Sequence, residues 1–395
     1  MPSLDRSAAL TGTPLLRTVL SRTALVRLAL GWVSVVALAL LAPWLAQPLP
    51  AVALLLALAA IVTVIVIAAG GVVQQAEALA HRLGDPYGTL VLTLSIVVIE
   101  VVLIAAVMLG PGEHATIARD SVMAVSMIIL NLALGISLVA AGIRHGGLAP
   151  NRVGTATYLV MLVALGALTF AVPGMIGADG TFTSVQALVV IAVTVVLYGF
   201  FLWRQAGAQA GDFREVDMPV RETSCPGREP ATSSPTPIRQ ILVEHRAELL
   251  TRSALLVATV LPIILLSHDM AGLLDQGLAR VGAPAALGGV LIAMIVFTPE
   301  SITAVRAALG GEIQRVVNLC HGALVSTFGL TIPTVLVIAL ATGQQAVLAE
   351  SPVNLLLLGV TLAVCAISAS APRMTAVHGA VHLVLFVVYG LALFA

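Results

Sequence analysis

The sequence predicts an all-α integral membrane protein of about eleven transmembrane helices, arranged as two five-helix repeats of inverted topology behind an extra N-terminal helix. Three observations predict it. Of the 395 residues, 59% are hydrophobic and only 10% charged, with a mean hydropathy of +1.08. Soluble domains carry about 25% charged residues, so this chain lacks the polar surface to cover a water-soluble globule. Apolar windows long enough to span a bilayer recur along most of the chain. Finally, the 19 basic residues, all arginine, fall on alternate loops.

Residues 1–50 read as a cytoplasmic N-terminus and a first helix at 24–45. Arg6, Arg17, Arg22 and Arg27 precede the apolar run, and no small-residue cleavage site follows it, so an uncleaved helix is expected. The first repeat, 51–203, holds windows at 51–73, 88–110, 119–143, 153–175 and 181–203. The second, 250–395, holds windows at 250–268, 285–309, 314–342, 352–371 and 376–394. Residues 204–249, with the run Arg228-Glu229-Pro230-Ala231-Thr232-Ser233-Ser234-Pro235, form a polar linker. With the N-terminus inside, every arginine except Arg119 and Arg280 lies on the cytoplasmic side. The linker is then cytoplasmic and the C-terminus outside. Five crossings per block make the second block enter from the opposite side, the plan of an inverted repeat.

Composition also excludes some functions. The 19 acidic residues balance the arginines, so nothing points to nucleic acid. Cys225, Cys320 and Cys365 lie far apart with no CxxC pair, which indicates neither a disulfide framework nor a zinc site.

Two carboxylates stand deep within apolar spans at matching places in the two halves. Glu100 lies about twelve residues into its span, and at ~1.5 Å per residue that is ~18 Å, near mid-bilayer. Glu300 follows Phe297-Thr298-Pro299 in the second span of the other half. An ionised carboxylate in hydrocarbon costs at least ~2.5 kcal/mol, so two at matched depth call for a functional explanation. Burial favours the protonated form and a bound cation the ionised one, so one site can hold protons or a metal cation in turn. Pro299 removes a backbone donor and is expected to break or kink the helix just before Glu300. Freed carbonyls and Thr298 then join Glu300 as oxygen ligands, or the proline is a simple kink in which Thr298 takes no part. In the helices that follow, Asn131 and Ser326 fall near mid-span, as ligands, gate contacts or interhelical hydrogen bonds. His321 reads as a supporting hydrogen bond or a proton relay.

Other polar residues are weaker candidates. His378 and His382 share one helical face, but the Glu of HExxH is missing and no third ligand is evident. Asp120, Asp269, Asp275 and Glu350 sit at span ends on the outer side, solvated or forming a mild funnel for cations.

At these residues the sequence resembles the cation/Ca²⁺ exchanger superfamily, in its bacterial Ca²⁺/H⁺ or Na⁺/K⁺:H⁺ antiporter branch. That family carries two homologous repeats, each with an acidic residue on one helix and a small or polar stretch on the next. Glu100 with Ser126 to Gly135 looks like the first repeat, and Thr298-Pro299-Glu300 with Gly322 to Pro333 like the second. The resemblance implies a secondary antiporter that exports a metal cation in exchange for protons, Glu100 and Glu300 forming the shared site. Ca²⁺ is the favoured cation, with Na⁺ or K⁺ as the monovalent alternative. It implies no cofactor: the cation and protons are substrates and the lipid bilayer the surroundings. Two other classes compete: an intramembrane metalloenzyme, which needs three converging ligands, and a passive channel, whose flux would not depend on a proton gradient.

Overall fold

The structure is a computed structural model that describes residues 21–45, 47, 49–83, 97, 100, 101, 104, 105, 108, 115–215, 246–282, 284 and 286–394. Among the described residues every regular element is helical, and only two isolated bridges, Leu148–Met374 and Ala178–Thr181, interrupt the pattern. In order these are α1 (Arg22–Leu45), α2 (Ala51–Leu83), and α3, the helical positions within 97–108. There follow α4 (Ile117–His145), α5 (Arg152–Ile176), α6 (Ser184–Ala206) and α7 (Arg246–Val281). The chain ends with α8 (Ala286–Val296), α9 (Thr298–Gly310), α10 (Ile313–Thr342), α11 (Pro352–Ser370) and α12 (Ala376–Ala392). Eight described helices are long and apolar enough to cross a membrane, and α12 is a shorter apolar helix of 17 residues. A many-spanning, all-helical membrane protein is therefore what the chain folds into.

Exposure sorts the helices into centre and rim. The apolar window of α4 is 83% buried and that of α10 is 67% buried, whereas α1 is only 11% buried and lies outermost. α4 and α12 pack backbone to backbone because glycine removes the obstacle. A Cβ on Gly379 would stand 2.5 Å from the Gly135 carbonyl oxygen, and one on Gly142 would stand 2.2 Å from the Ala376 nitrogen. α4 and α10 also end alike, on Gly146 (φ 72°) and Gly343 (φ 73°), the left-handed conformation that glycine adopts without strain.

Two elements run past the expected spans of 51–73 and 250–268. α2 continues to Leu83 and α7 from Arg246 to Val281. Hydropathy falls where polar residues begin, but the helical backbone continues because those residues satisfy one another. Arg252 Nη1 donates to Gln75 Oε1 at 3.1 Å and Arg252 Nε to Glu248 Oε1 at 3.0 Å. Arg27 Nη1 reaches the Gly70 carbonyl and Gln74 Oε1 in the same region.

The first part of the linker is ordered, contrary to the loose segment expected from 204. After α6 the chain forms a 3-10 turn at Ala210–Phe213, and Phe213 is 2% exposed, its ring 5.1 Å from that of Tyr158 and 6.0 Å from that of Phe201. Asn318 Nδ2 donates to the Phe213 carbonyl at 2.7 Å, and the Glu215 carboxylate accepts from the backbone N–H groups of Gln314 and Arg315 at the start of α10. Gly154 admits this strap, since a Cβ there would meet the Asp212 carbonyl oxygen at 2.1 Å. Residues 216–245, with Cys225, lie outside the described residues.

Candidate functional site

The site begins at a helix break. α8 stops at Val296, Phe297 takes a non-helical φ of −87° and ψ of 1°, and α9 restarts at Thr298 with Pro299 in its first turn. Proline has no N–H to give, and the first turn of a helix is where that loss costs least. Hydroxyls take up carbonyls at the break: Thr298 Oγ1 donates to Met294 O at 2.7 Å and Ser301 Oγ to Phe297 O at 2.9 Å. Glu300 thus stands in the opening turn of a half-helix, where the N-terminal dipole favours negative charge. It is partly buried, with Oε2 wholly enclosed and lacking a hydrogen-bond partner.

Glu100 approaches from α3. It is 4% exposed. Its Oε2 accepts a hydrogen bond from Thr327 Oγ1 at 2.6 Å, while Oε1 is enclosed without a partner. A buried carboxylate oxygen with no donor is costly, and Glu100 and Glu300 each have one.

Thr327 opens a π-helical turn, Thr327–Thr331, in the middle of α10, and α4 carries its counterpart at Ile128–Ala133. Such turns insert one extra residue into a helix and recur at functional sites. Thr331, at the end of the second, has its hydroxyl buried without a partner.

Asn131 and Ser326 lie on or beside these turns and hydrogen-bond to other helices. Asn131 Nδ2 donates to Thr361 Oγ1 at 2.9 Å, and its Oδ1 lies 3.1 Å from His382 Nδ1. Since the amide nitrogen is the donor, Oδ1 accepts and His382 donates. Ser326 Oγ donates to Gly322 O at 2.9 Å and pairs with Tyr198 OH at 2.9 Å. Thr298 is engaged with Met294, and His321 is 1% exposed with neither ring nitrogen partnered. The Tyr158 ring lies stacked 6.4 Å from His321, and Gln205 Nε2 donates to Tyr158 OH at 2.6 Å.

The remaining polar residues divide. His378 Nδ1 accepts from the Thr375 N–H and caps α12, so the two histidines of that face serve separate bonds. Among the described residues, no three His, Cys, Asp or Glu side chains converge to hold a metal. Cys320 and Cys365 are free and buried. Glu350 is tucked in, accepting from Ser351 N and Asn354 Nδ2, with Arg119 Nε at 3.9 Å and Asp120 paired to the same arginine at 2.8 Å. Asp269 is exposed, and both it and Asp275 lie on α7, which continues to Val281. Thr327 is the site residue that sequence reasoning missed. It stands beside Ser326 in Val325-Ser326-Thr327-Phe328-Gly329, and only the π-turn decides which of the two hydroxyls meets Glu100.

A helix broken within a many-spanning membrane protein, as at Phe297, is the plan of secondary transporters. The chain belongs to the sodium/calcium exchanger protein family, whose model matches residues 52–207 and 252–395. It is 35% identical to y4hA of Sinorhizobium fredii over 350 residues, 87% of this chain and 90% of that one. It is 32% identical to the sodium-potassium/proton antiporter ChaA of Escherichia coli over 324 residues, covering 82% and 85%. The fold is shared with native YfkE at a TM-score of 0.66 and 14% identity, covering 94% of this chain and 99% of that one. It is shared likewise with the H⁺/Ca²⁺ exchanger CAX at 0.63 and 14%, covering 93% and 87%. The chain is thus an antiporter-family protein of the cation/Ca²⁺ exchanger superfamily.

Proposed function

We propose that the protein exports a metal cation from the cytoplasm in exchange for protons, with Glu100 and Glu300 as the shared site. One observation carries the reading: Glu100, buried, and Glu300, partly buried, each hold an enclosed carboxylate oxygen that no protein donor satisfies. With protons off, the pair is anionic and takes a cation; with protons on, it releases it. Thr327, bonded to Glu100, and Thr298, two residues before Glu300, are the hydroxyls that would join the pair. His321, buried with two unpartnered nitrogens, serves as proton relay between the pair and the linker end of the bundle, where Gln314 and Asn318 continue the polar face of α10. The N-terminus and linker lie in the cytoplasm, and the two halves rock about the site to expose it to either side.

Ca²⁺ takes six to eight oxygens, and two carboxylates neutralise its charge, which favours it as the cargo. The monovalent reading, Na⁺ or K⁺, draws support from ChaA, a sodium-potassium/proton antiporter 32% identical to this chain. Proton movement in inverted vesicles holding an imposed pH gradient decides between them. Dissipation on adding one of Ca²⁺, Na⁺ or K⁺, absent in Glu300→Gln, establishes exchange and names the ion. No response to any of the three, with folded protein present, overturns the proposal.

A further inference from the structure

We infer that Tyr198 is a positioning residue of the cation site, holding the start of the α10 π-turn through Ser326 so that Thr327 keeps its hydroxyl on Glu100. The inference rests on the antiport reading above.

Tyr198 stands apart from its own helix. On α6 its neighbours Val195, Val196 and Phe200 are 50%, 71% and 56% exposed, as suits a helix facing lipid, yet Tyr198 is 4% exposed. Its ring enters α10 where that helix has no side chain to refuse it: a Cβ on Gly329 would stand 2.5 Å from Tyr198 Cγ. The hydroxyl then meets Ser326 Oγ at 2.9 Å. Ser326 has one hydroxyl hydrogen and gives it to Gly322 O at 2.9 Å, so Tyr198 is the donor. The bond has a direction, from α6 into the last residue before the π-turn.

The next residue is Thr327, fully buried, whose hydroxyl reaches Glu100 at 2.6 Å. Adding one residue to an α-helix rotates everything beyond it by about 100°. Whether the extra residue falls at 327–331 or elsewhere therefore decides which hydroxyl faces Glu100. Tyr198 grips both flanks of that choice, Ser326 before the turn by its hydroxyl and Gly329 within it by its ring. Neither contact touches the cation, so its effect passes through Thr327.

Tyr198→Phe deletes the hydroxyl and keeps the ring seated on Gly329. Initial exchange rates against cation concentration, in proteoliposomes, would be compared for wild type, Tyr198→Phe, Thr327→Val and the double variant. We expect Tyr198→Phe to raise the half-saturating concentration about five-fold, the loss of one hydrogen bond. The maximal rate and the melting temperature should stay near wild type. Thr327→Val should raise it further, and the double variant should match Thr327→Val alone, because the tyrosine has nothing left to aim. Ser326→Ala cuts the same bond from the other side and should give the same shift, with no added effect in combination. A double variant as impaired as the product of the two single effects overturns the inference. So does a Tyr198→Phe protein that melts earlier with half-saturation unchanged. Absence of cation/proton exchange in the wild type would sink the antiport reading itself; intact exchange with independent effects sinks only the role of Tyr198.

Discussion

At the scale of single residues, Glu100 and Glu300 each have an enclosed oxygen without a partner, and the proposed exchange rests on them. Glu100→Gln and Glu300→Gln keep the shape and hydrogen-bonding capacity but remove the charge, so each should abolish exchange while insertion and melting temperature stay near wild type. Retained transport in both variants would remove the pair from the mechanism. Protons and cation compete for the same carboxylates, so the sign of the pH dependence is set. Raising the pH on the loading side should lower the half-saturating cation concentration until both groups are ionised, and a half-saturation that is flat with pH would contradict shared occupancy. The sequence made both glutamates legible, since a carboxylate in the middle of an apolar span has few innocent explanations. It pointed to Ser326 and Asn131 as well, as ligands, gate contacts or interhelical hydrogen bonds, and in the structure they bond to Tyr198, His382 and Thr361. Mid-span depth can be counted along a helix; the direction a side chain takes around it depends on a π-turn that shifts the count by one.

Among the elements, α4 and α12 offer the sharpest test of packing. Gly379→Ala would place a methyl against the Gly135 carbonyl and the Val139 nitrogen, backbone atoms that cannot swing aside. A loss of about 1–3 kcal/mol, read as a lower melting temperature in detergent, is expected for such overpacking. Gly390→Ala on the same helix meets nothing within 4 Å and should be neutral or stabilising by up to about 1 kcal/mol, from helix propensity alone. Equal melting temperatures for the two variants would contradict the close approach. The strap after α6 makes a second case. Phe213→Ala removes its buried anchor, and faster hydrogen exchange confined to 207–215 and the start of α10 should follow. The strap was illegible in the sequence, where 204–215 reads as the polar beginning of a linker. Its single aromatic side chain gains a place only once Tyr158, Phe201 and Asn318 assemble around it.

For the molecule as a whole, the two halves touch at the linker end through the Leu148–Met374 bridge, whose backbones exchange bonds of 3.1 and 2.8 Å. Residues paired in this way have Cα atoms about 5.5 Å apart, a separation that a disulfide fits. Leu148→Cys with Met374→Cys, in a chain whose Cys225 is replaced by Ser, should therefore cross-link on oxidation. If the halves rock about the site, the oxidised protein should stop exchanging and recover on reduction; unimpeded exchange in a fully cross-linked sample would exclude rocking at this contact.

By itself the sequence determined that the chain is an all-helical, many-spanning membrane protein, and it singled out Glu100 and Glu300 within apolar stretches. Those are properties of composition and of distance along one helix, and hydrocarbon punishes departures from them residue by residue. Only the tertiary structure decided which side chains meet: Thr327 rather than Ser326 on Glu100, Tyr198 seated on Gly329, and Phe213 folded under Tyr158. Such meetings depend on rotation about helix axes, on where a π-turn inserts its extra residue, and on glycines that let backbones approach. None of these leaves a periodic mark in the chain, and each is settled by the packing of helices far apart in sequence.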